Sequence, residues 1–459
     1  MLEVVSPYSG EVISEIQTQS QADLQDMLTQ AHARYRDRSR WMSVQTRIDI
    51  LSRASDLLQE RFAEFAELIA REGAKPRQDA EVEAKRAAEG LQMCADHIRA
   101  QVGRTIALGI SPLTQGHHAR TFKEPIGVVA AISAFNHPLN LIVHQVGPAV
   151  AAGCPVIIKP ALDTPLSALA LTDVLIEAGL PAGWCQVLIA DNNVAQSLVT
   201  DPRLGFFSFI GSARVGWQLR AQLAPGVRCA LEHGGAAPLI ACEDAALEKL
   251  VPAVLKGGFY HAGQVCVSVQ RVYVPNILLD NFVTELVTRV KQLNVGDPMD
   301  ANTDVGPLIR SGEVDRVESW VQEAVDEGAT LACGGSRVNN RVYAPTVLVN
   351  PDLKSKVSRE EIFGPVVCVY GYNRVEEAIH QANALPVAFQ AAVFSQDIDR
   401  ATAVAAAMDG SAIMINDHTA FRDDIMPFAG LRHSGLGVGG IPYTIDDMQI
   451  EKMIVTKTG

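Results

Sequence analysis

The sequence predicts an α/β protein: a doubly wound, mostly parallel sheet followed by a second α/β unit. Three observations carry this expectation. Between residues 127 and 232, short β-branched runs alternate with helical segments, the pattern of parallel strands covered on both faces. A second series of helices and apolar runs continues to about residue 430. A length of 459 residues exceeds what one hydrophobic core organises, so two or more domains are expected.

The first hundred residues read as a helical layer, since 20–36, 44–71 and 80–102 place apolar side chains at helical spacing with charges between them. Residues 127–135 then read as a buried strand. The helix behind it is 138–152, with Pro138 tolerated in the first turn and Gly153 closing the end. The next strand is 154–158. Thr164 reads as the cap of a helix that opens at Pro165 and stops at Gly179, with Pro181 beyond. Strands at 186–190, 206–210 and 228–232, with helices near 194–199 and 213–223, complete a sheet of the nucleotide-binding type. Past Gly234-Gly235, helices are expected at 244–255, 278–293, 313–327 and 397–408, and a strand at 366–369. No short repeat, low-complexity tract or Pro/Ser linker intervenes, so a rigid interface with a cleft is expected.

Composition narrows the partners. Hydrophobic residues at 48% and charged residues at 20% are the balance of a soluble globular protein. A formal net charge of −13 without a basic run argues against nucleic acid. Met1-Leu2-Glu3-Val4 does not open a signal or transit peptide, so a cytoplasmic location is expected, and no apolar stretch has the length of a membrane span. Eight cysteines without a C-x-x-C pair or zinc-like spacing suit reduced thiols and no metal.

Several short segments then stand out. Gly435-Leu436-Gly437-Val438-Gly439-Gly440 has G-x-G-x-x-G spacing, but Ile441-Pro442 follows and the chain ends at Gly459, so it reads as a mobile or tightly turned loop. Phe209-Ile210-Gly211-Ser212 ends a strand and opens a helix; the position suits an anion, and Gly211 equally suits an ordinary turn. Glu232 closes a strand before Gly234-Gly235, as a general base or as solvated charge. Lys159 ends a strand at the same edge, to reach a ribose or to face solvent. Cys266 follows a break after a long helix, whereas Cys154, Cys229 and Cys368 sit in apolar runs and read as buried. Asn136 is a turn amide or an oxyanion donor.

Six segments, taken in order, resemble the aldehyde dehydrogenase superfamily from about residue 5 to about residue 455. They are Phe135-Asn136-His137-Pro138-Leu139, Ile157-Ile158-Lys159-Pro160-Ala161, Phe209-Ile210-Gly211-Ser212, Leu231-Glu232-His233-Gly234-Gly235, Gly263-Gln264-Val265-Cys266 and Glu361-Ile362-Phe363-Gly364-Pro365. The resemblance implies a cofactor-binding domain at 1–103 and 124–234 and a catalytic domain at 235–440. It also implies oligomerisation segments at 104–123 and 441–459, hence a homodimer or homotetramer. The implied reaction oxidises an aldehyde to a carboxylate with NAD or NADP, through a thiohemiacetal and thioester on Cys266. Asn136 and the Cys266 N–H would hold the oxyanion, and Glu232 would activate the hydrolytic water. Phe135, Lys159, Gly211, Ser212, Glu361 and Phe363 would bind the dinucleotide: Lys159 at the adenine ribose, Gly211 and Ser212 at the pyrophosphate, Glu361 at the nicotinamide ribose and Phe363 against the nicotinamide.

Departures from the family pattern bear on specificity. Leu162 stands where NAD-preferring members often carry a glutamate that repels a 2′-phosphate, so both cofactors stay admissible. Gly439 replaces a second glutamate near the reaction centre. Pro138-Leu139-Asn140-Leu141 and His144 resemble the branch acting on small polar aldehydes, which implies Arg86, His137, Asn140 and His144 as substrate residues. Val265 stands where phosphate-handling members place an arginine, which argues against a doubly charged substrate. Glu232 argues against a coenzyme A-dependent acylating enzyme, and no histidine is identified as a partner for Cys266 in a thiol hydrolase. The joint presence of Cys266, Glu232 and Asn136 argues against a silent binding protein.

Overall fold

The computed structural model describes residues 1–458; Gly459, at the end of the 441–459 segment, lies outside the described residues. The α/β expectation is met by two large sheets. The first has six strands in the order Gly435–Leu436, Arg228–Glu232, Leu204–Ile210, Val128–Ile132, Val156–Lys159, Cys185–Val187. All but the first run parallel.

Side chains of a strand alternate between faces, and here both faces are covered. Val129, Ala131, Val156 and Ile158 pack on one side with Leu51, Leu91 and Ile142 from the helices Val44–Glu60, Arg77–Ala100 and Asn140–Ala152. Val128, Ala130 and Ile157 pack on the other with Leu24 and Leu28 of the helix Gln21–Arg36.

The second sheet has seven strands in the order Thr330–Cys333, Thr346–Val349, Val366–Tyr372, Val269–Pro275, Ala237–Ala241, Gln390–Phe394, Ala412–Ile415. It is parallel apart from the first strand and has its own core around Val272, Val367 and Val393. A third sheet joins Gln449–Lys457, His117–Pro125 and Thr105–Ile106. No helix is long and apolar enough to cross a membrane among the described residues.

Several local expectations are corrected. The helix expected at 44–71 breaks at Arg61 into Val44–Glu60 and Phe62–Gly73, without a Gly or Pro to announce it. The strand expected at 127–135 ends at Ile132, because Ala134 and Phe135 are apolar without belonging to the sheet. The N-terminal layer also includes a strand pair, Leu2–Val5 with Val12–Ile16. The glycine-rich segment near the C-terminus is not simply a loop: Gly435–Leu436 pairs antiparallel with the strand bearing Glu232.

Thr164 does not cap the helix Leu166–Glu177; its hydroxyl is buried without a partner. The cap is the buried carboxylate of Glu72, which accepts from Leu166 N (2.7 Å) and Ser167 N (2.8 Å). A carboxylate at a helix N-terminus meets free N–H groups and the positive end of the dipole, so a distant residue supplies what the local hydroxyl was expected to. Glu72→Ala is therefore expected to lower stability by about 2 kcal/mol. Thr164→Val should change it by less than about 0.5 kcal/mol. Urea denaturation of both variants checks the assignment; the reverse ranking would restore Thr164 as the cap.

Candidate functional site

The parallel strands of the first sheet end their carboxyl edge at Ile132, Lys159, Ile210 and Glu232, and ligands of open α/β sheets bind beyond that edge. The second sheet supplies the facing wall through two loops. One carries Cys266 and the other carries Glu361 and Phe363.

The Cys266 loop leaves the helix Leu247–Phe259 through three successive left-handed residues, His261 (φ 48°), Ala262 (φ 55°) and Gly263 (φ 71°). Only the glycine adopts this conformation freely, and a Cβ at Gly263 would collide with the Gly364 carbonyl. Gln264 ties the turn down. Its backbone N–H donates to His261 O (3.1 Å), and its side chain donates to Pro307 O (3.3 Å) and accepts from Ile309 N (3.0 Å). Gln264 O in turn accepts from Asn136 Nδ2 at 2.9 Å. The Asn136 side chain is thereby brought to the Cys266 loop across the cleft.

Cys266, itself half-buried, lies near three ionisable groups. Burial pushes its thiol well up, Glu361 and Glu232 add to the rise, and Arg422 opposes it. Glu232 is also raised above the usual carboxylate range by burial, against His144 and Arg422. Its carboxylate lies where a Cβ at residue 439 would be, so Gly439 makes the room that Glu232 occupies. Burial pushes Glu361 up to about 8 despite Arg316; one carboxylate oxygen has no partner, and the carboxylate fills the space beside Gly234.

The remaining cofactor candidates line the same edge. The Phe135 and Phe363 rings meet edge to face across the cleft at 5.7 Å. Lys159 is buried, its ammonium bonded only to Pro160 O at 3.4 Å, and burial lowers its pKa against Asp163 and Asp191. Ser212 precedes the helix Ala213–Arg220 without a side-chain cap bond, so that helix start is open.

The substrate candidates divide into two groups. Arg86 and His144 converge on buried Asp424, Arg86 with two bonds (3.2 and 2.5 Å) and His144 Nε2 at 3.0 Å from Oδ1. His137 packs instead beside Tyr260 and His261, and burial holds its imidazole neutral. Asn140 donates its backbone N–H to Glu83 (3.0 Å), with its side-chain oxygen buried and unpartnered. Glu83 also accepts from Leu139 N (2.9 Å) and pairs with buried Lys75, fixing the start of the helix Asn140–Ala152.

Sequence reasoning missed Arg422, Asp424, Gln264 as a hub and Glu83. Arg422 and Asp424 lie in an irregular segment with no periodicity to mark a face. Their only signal was a charged cluster, Arg422-Asp423-Asp424, set between apolar residues.

The 3-sulfolactaldehyde dehydrogenase of Priestia aryabhattai is 38% identical over 456 residues, 99% of this chain and 94% of that protein. Among solved structures, glyceraldehyde-3-phosphate dehydrogenase GapN of Methanocaldococcus jannaschii, complexed with NADP, has a TM-score of 0.94 at 32% identity, covering 100% of this chain and 99% of that one. An aldehyde dehydrogenase of Physcomitrella patens, in complex with the reaction product succinate, has a TM-score of 0.95 at 34% identity, covering 99% and 95%. The aldehyde dehydrogenase family model matches residues 1–454, and with this two-sheet fold and a cysteine facing its cleft the chain belongs to the aldehyde dehydrogenase family.

Proposed function

We propose that this protein oxidises a small anionic aldehyde to its carboxylate, with NAD or NADP as cofactor and Cys266 as the nucleophile. The cleft fits such a dinucleotide: Glu361 offers an unpartnered buried oxygen, Lys159 an ammonium with one weak bond, and the helix at Ala213 an open N-terminus. Leu162 beside Lys159 carries no charge to repel a 2′-phosphate, which supports use of NADP as well as NAD. The M. jannaschii neighbour was solved with NADP. Residues 1–103 and 124–234 then form the cofactor-binding domain and 235–440 the catalytic one, with Gly435–Leu436 reaching back into the first sheet. Segments 104–123 and 441–459 serve oligomerisation, a reading supported by exposed Phe122, Met453, Ile454 and Val455.

When bound, the nicotinamide supplies the hydride acceptor. The chain's own groups do the rest. The Cys266 thiol attacks the aldehyde carbon, and its proton leaves to solvent as the S–C bond forms, which keeps Glu232 free for the later step. Asn136 Nδ2 spends one N–H on Gln264 O and keeps a second for the oxyanion, beside the Cys266 N–H. After oxidation leaves a thioester, Glu232 takes a proton from water as the oxygen adds to carbon; the C–S bond then breaks, the proton on Glu232 passes to the leaving sulfur to restore the thiol, and the acid departs as its carboxylate with loss of a proton to solvent.

The substrate's charge rests on one observation: Arg422, only 7% exposed at its side chain, has a terminal nitrogen with no partner and bears on both Glu232 and Cys266. Its other contacts are the Phe428 face at 4.3 Å, Met426 O at 2.8 Å and the Asp424 carboxylate, 3.8 Å from Nε. Arg86 is engaged more closely, giving two hydrogen bonds to Asp424. One unpartnered guanidinium nitrogen, with Val265 adding no second cation, suits one carboxylate or sulfonate. The test is a panel of neutral, monoanionic and dianionic aldehydes with each cofactor. Monoanionic aldehydes should be preferred, and Arg422→Met should raise their KM by about 10- to 100-fold while leaving neutral aldehydes within about twofold. Equal losses on both classes would remove Arg422 from substrate recognition.

A further inference from the structure

We infer that His233 is a positioning residue for the dinucleotide, holding the Gly211-Ser212 turn in its binding shape and tying that turn to the strand end that carries Glu232. The inference rests on the proposal above that this turn meets the pyrophosphate. It adds a residue given no role there.

The geometry is closed on every side. Gly211 is held at both of its backbone polar groups by consecutive residues of one segment: its N–H donates to Glu232 O at 3.0 Å, and its carbonyl accepts from His233 Nδ1 at 2.9 Å. A carbonyl only accepts, so the proton sits on Nδ1 and the imidazole tautomer is set. Nε2 is then a buried nitrogen with no partner, 1% exposed at the residue level.

The ring itself is clamped between Phe209 and Trp217, with centroids 5.6 and 5.9 Å away. It lies under the first turn of the helix Ala213–Arg220, where a Cβ at Gly216 would collide with it. The His233 backbone N–H is engaged as well, donating to Ser434 O at 2.9 Å. The imidazole therefore fills the space beneath the open helix start and supplies the hydrogen bond to the Gly211 carbonyl.

An unsatisfied carbonyl in this turn is free to rotate the following peptide, whose N–H belongs to the group offered to the ligand. His233 acts on binding through that peptide and touches neither substrate nor the reacting atoms.

The leucine variant His233→Leu fills the aromatic clamp but removes the donor; His233→Asn keeps a donor at about the reach of Nδ1. Binding of ADP-ribose, NAD and NADP is measured by calorimetry on the full chain, alongside the KM for aldehyde at saturating cofactor and the thermal midpoint. The leucine variant should weaken all three ligands by about 5- to 10-fold, the scale of one hydrogen bond, with the aldehyde KM unchanged. The asparagine variant should recover to within about twofold of wild type. Wild-type affinity in the leucine variant overturns the inference, as does an asparagine variant no better than leucine at equal thermal midpoints. A wild type that binds none of the three ligands overturns the underlying cofactor reading with it, so the two failures are distinguishable.

Discussion

Cys266→Ala is expected to lower aldehyde oxidation by about 10⁴-fold or more while changing dinucleotide affinity by less than about twofold. The variant removes the thiol that Glu232, Glu361 and Arg422 act on, and none of the proposed cofactor contacts. Alanine fits the vacated space without new polar atoms, so the Gln264 hub that shapes the loop should survive. Steady-state assays with both cofactors and parallel binding measurements separate chemistry from binding. Turnover near the wild-type rate would show that another group attacks the aldehyde, and lost binding would show a collapsed cleft.

The second large effect is expected at Glu232. Glu232→Gln cannot take a proton from water, so thioester hydrolysis should slow by about 10²- to 10⁴-fold, more than the oxidation that precedes it. Rapid mixing should then show one equivalent of reduced cofactor in a burst, followed by slow turnover. A pH profile gives an independent reading. Burial raises the Glu232 pKa, so the carboxylate is the competent form above that raised value and is lost as pH falls through it. Turnover of the wild type should accordingly fall on an acid limb lying above the ordinary carboxylate range, and Glu232→Gln should lack that limb. A steady wild-type rate in the variant assigns the base elsewhere.

Gly439 gives that prediction its structural context. Family resemblance marks it as a missing glutamate, and in the structure it is the absence of a side chain that accommodates the Glu232 carboxylate. No residue at 439 can share the proton with Glu232 in this arrangement, which concentrates the task on one carboxylate.

What the sequence by itself determined about this protein is its α/β class, the alternation that builds the first sheet, and its family. Periodicity reports which side chains face a core, and Val128 to Ile132 or Val156 to Lys159 show that signal plainly because both faces of the sheet are covered. Motif order pointed to Cys266, Glu232 and Asn136 as the proposed reaction centre, because each lies in a short segment whose neighbours are local in the chain. Only the tertiary structure decided the long-range pairings: Glu72 in place of Thr164 at a helix start, Gly435–Leu436 against the strand of Glu232, and Asn136 on Gln264. It also decided how two arginines share one carboxylate, since Arg86 lies 338 positions before the Asp424 it hydrogen-bonds and that Arg422 faces at 3.8 Å. The physical reason is common to all of these. A buried polar group must find a partner wherever the fold brings one, and that search runs through space, where neither spacing nor propensity along the chain has any record of it.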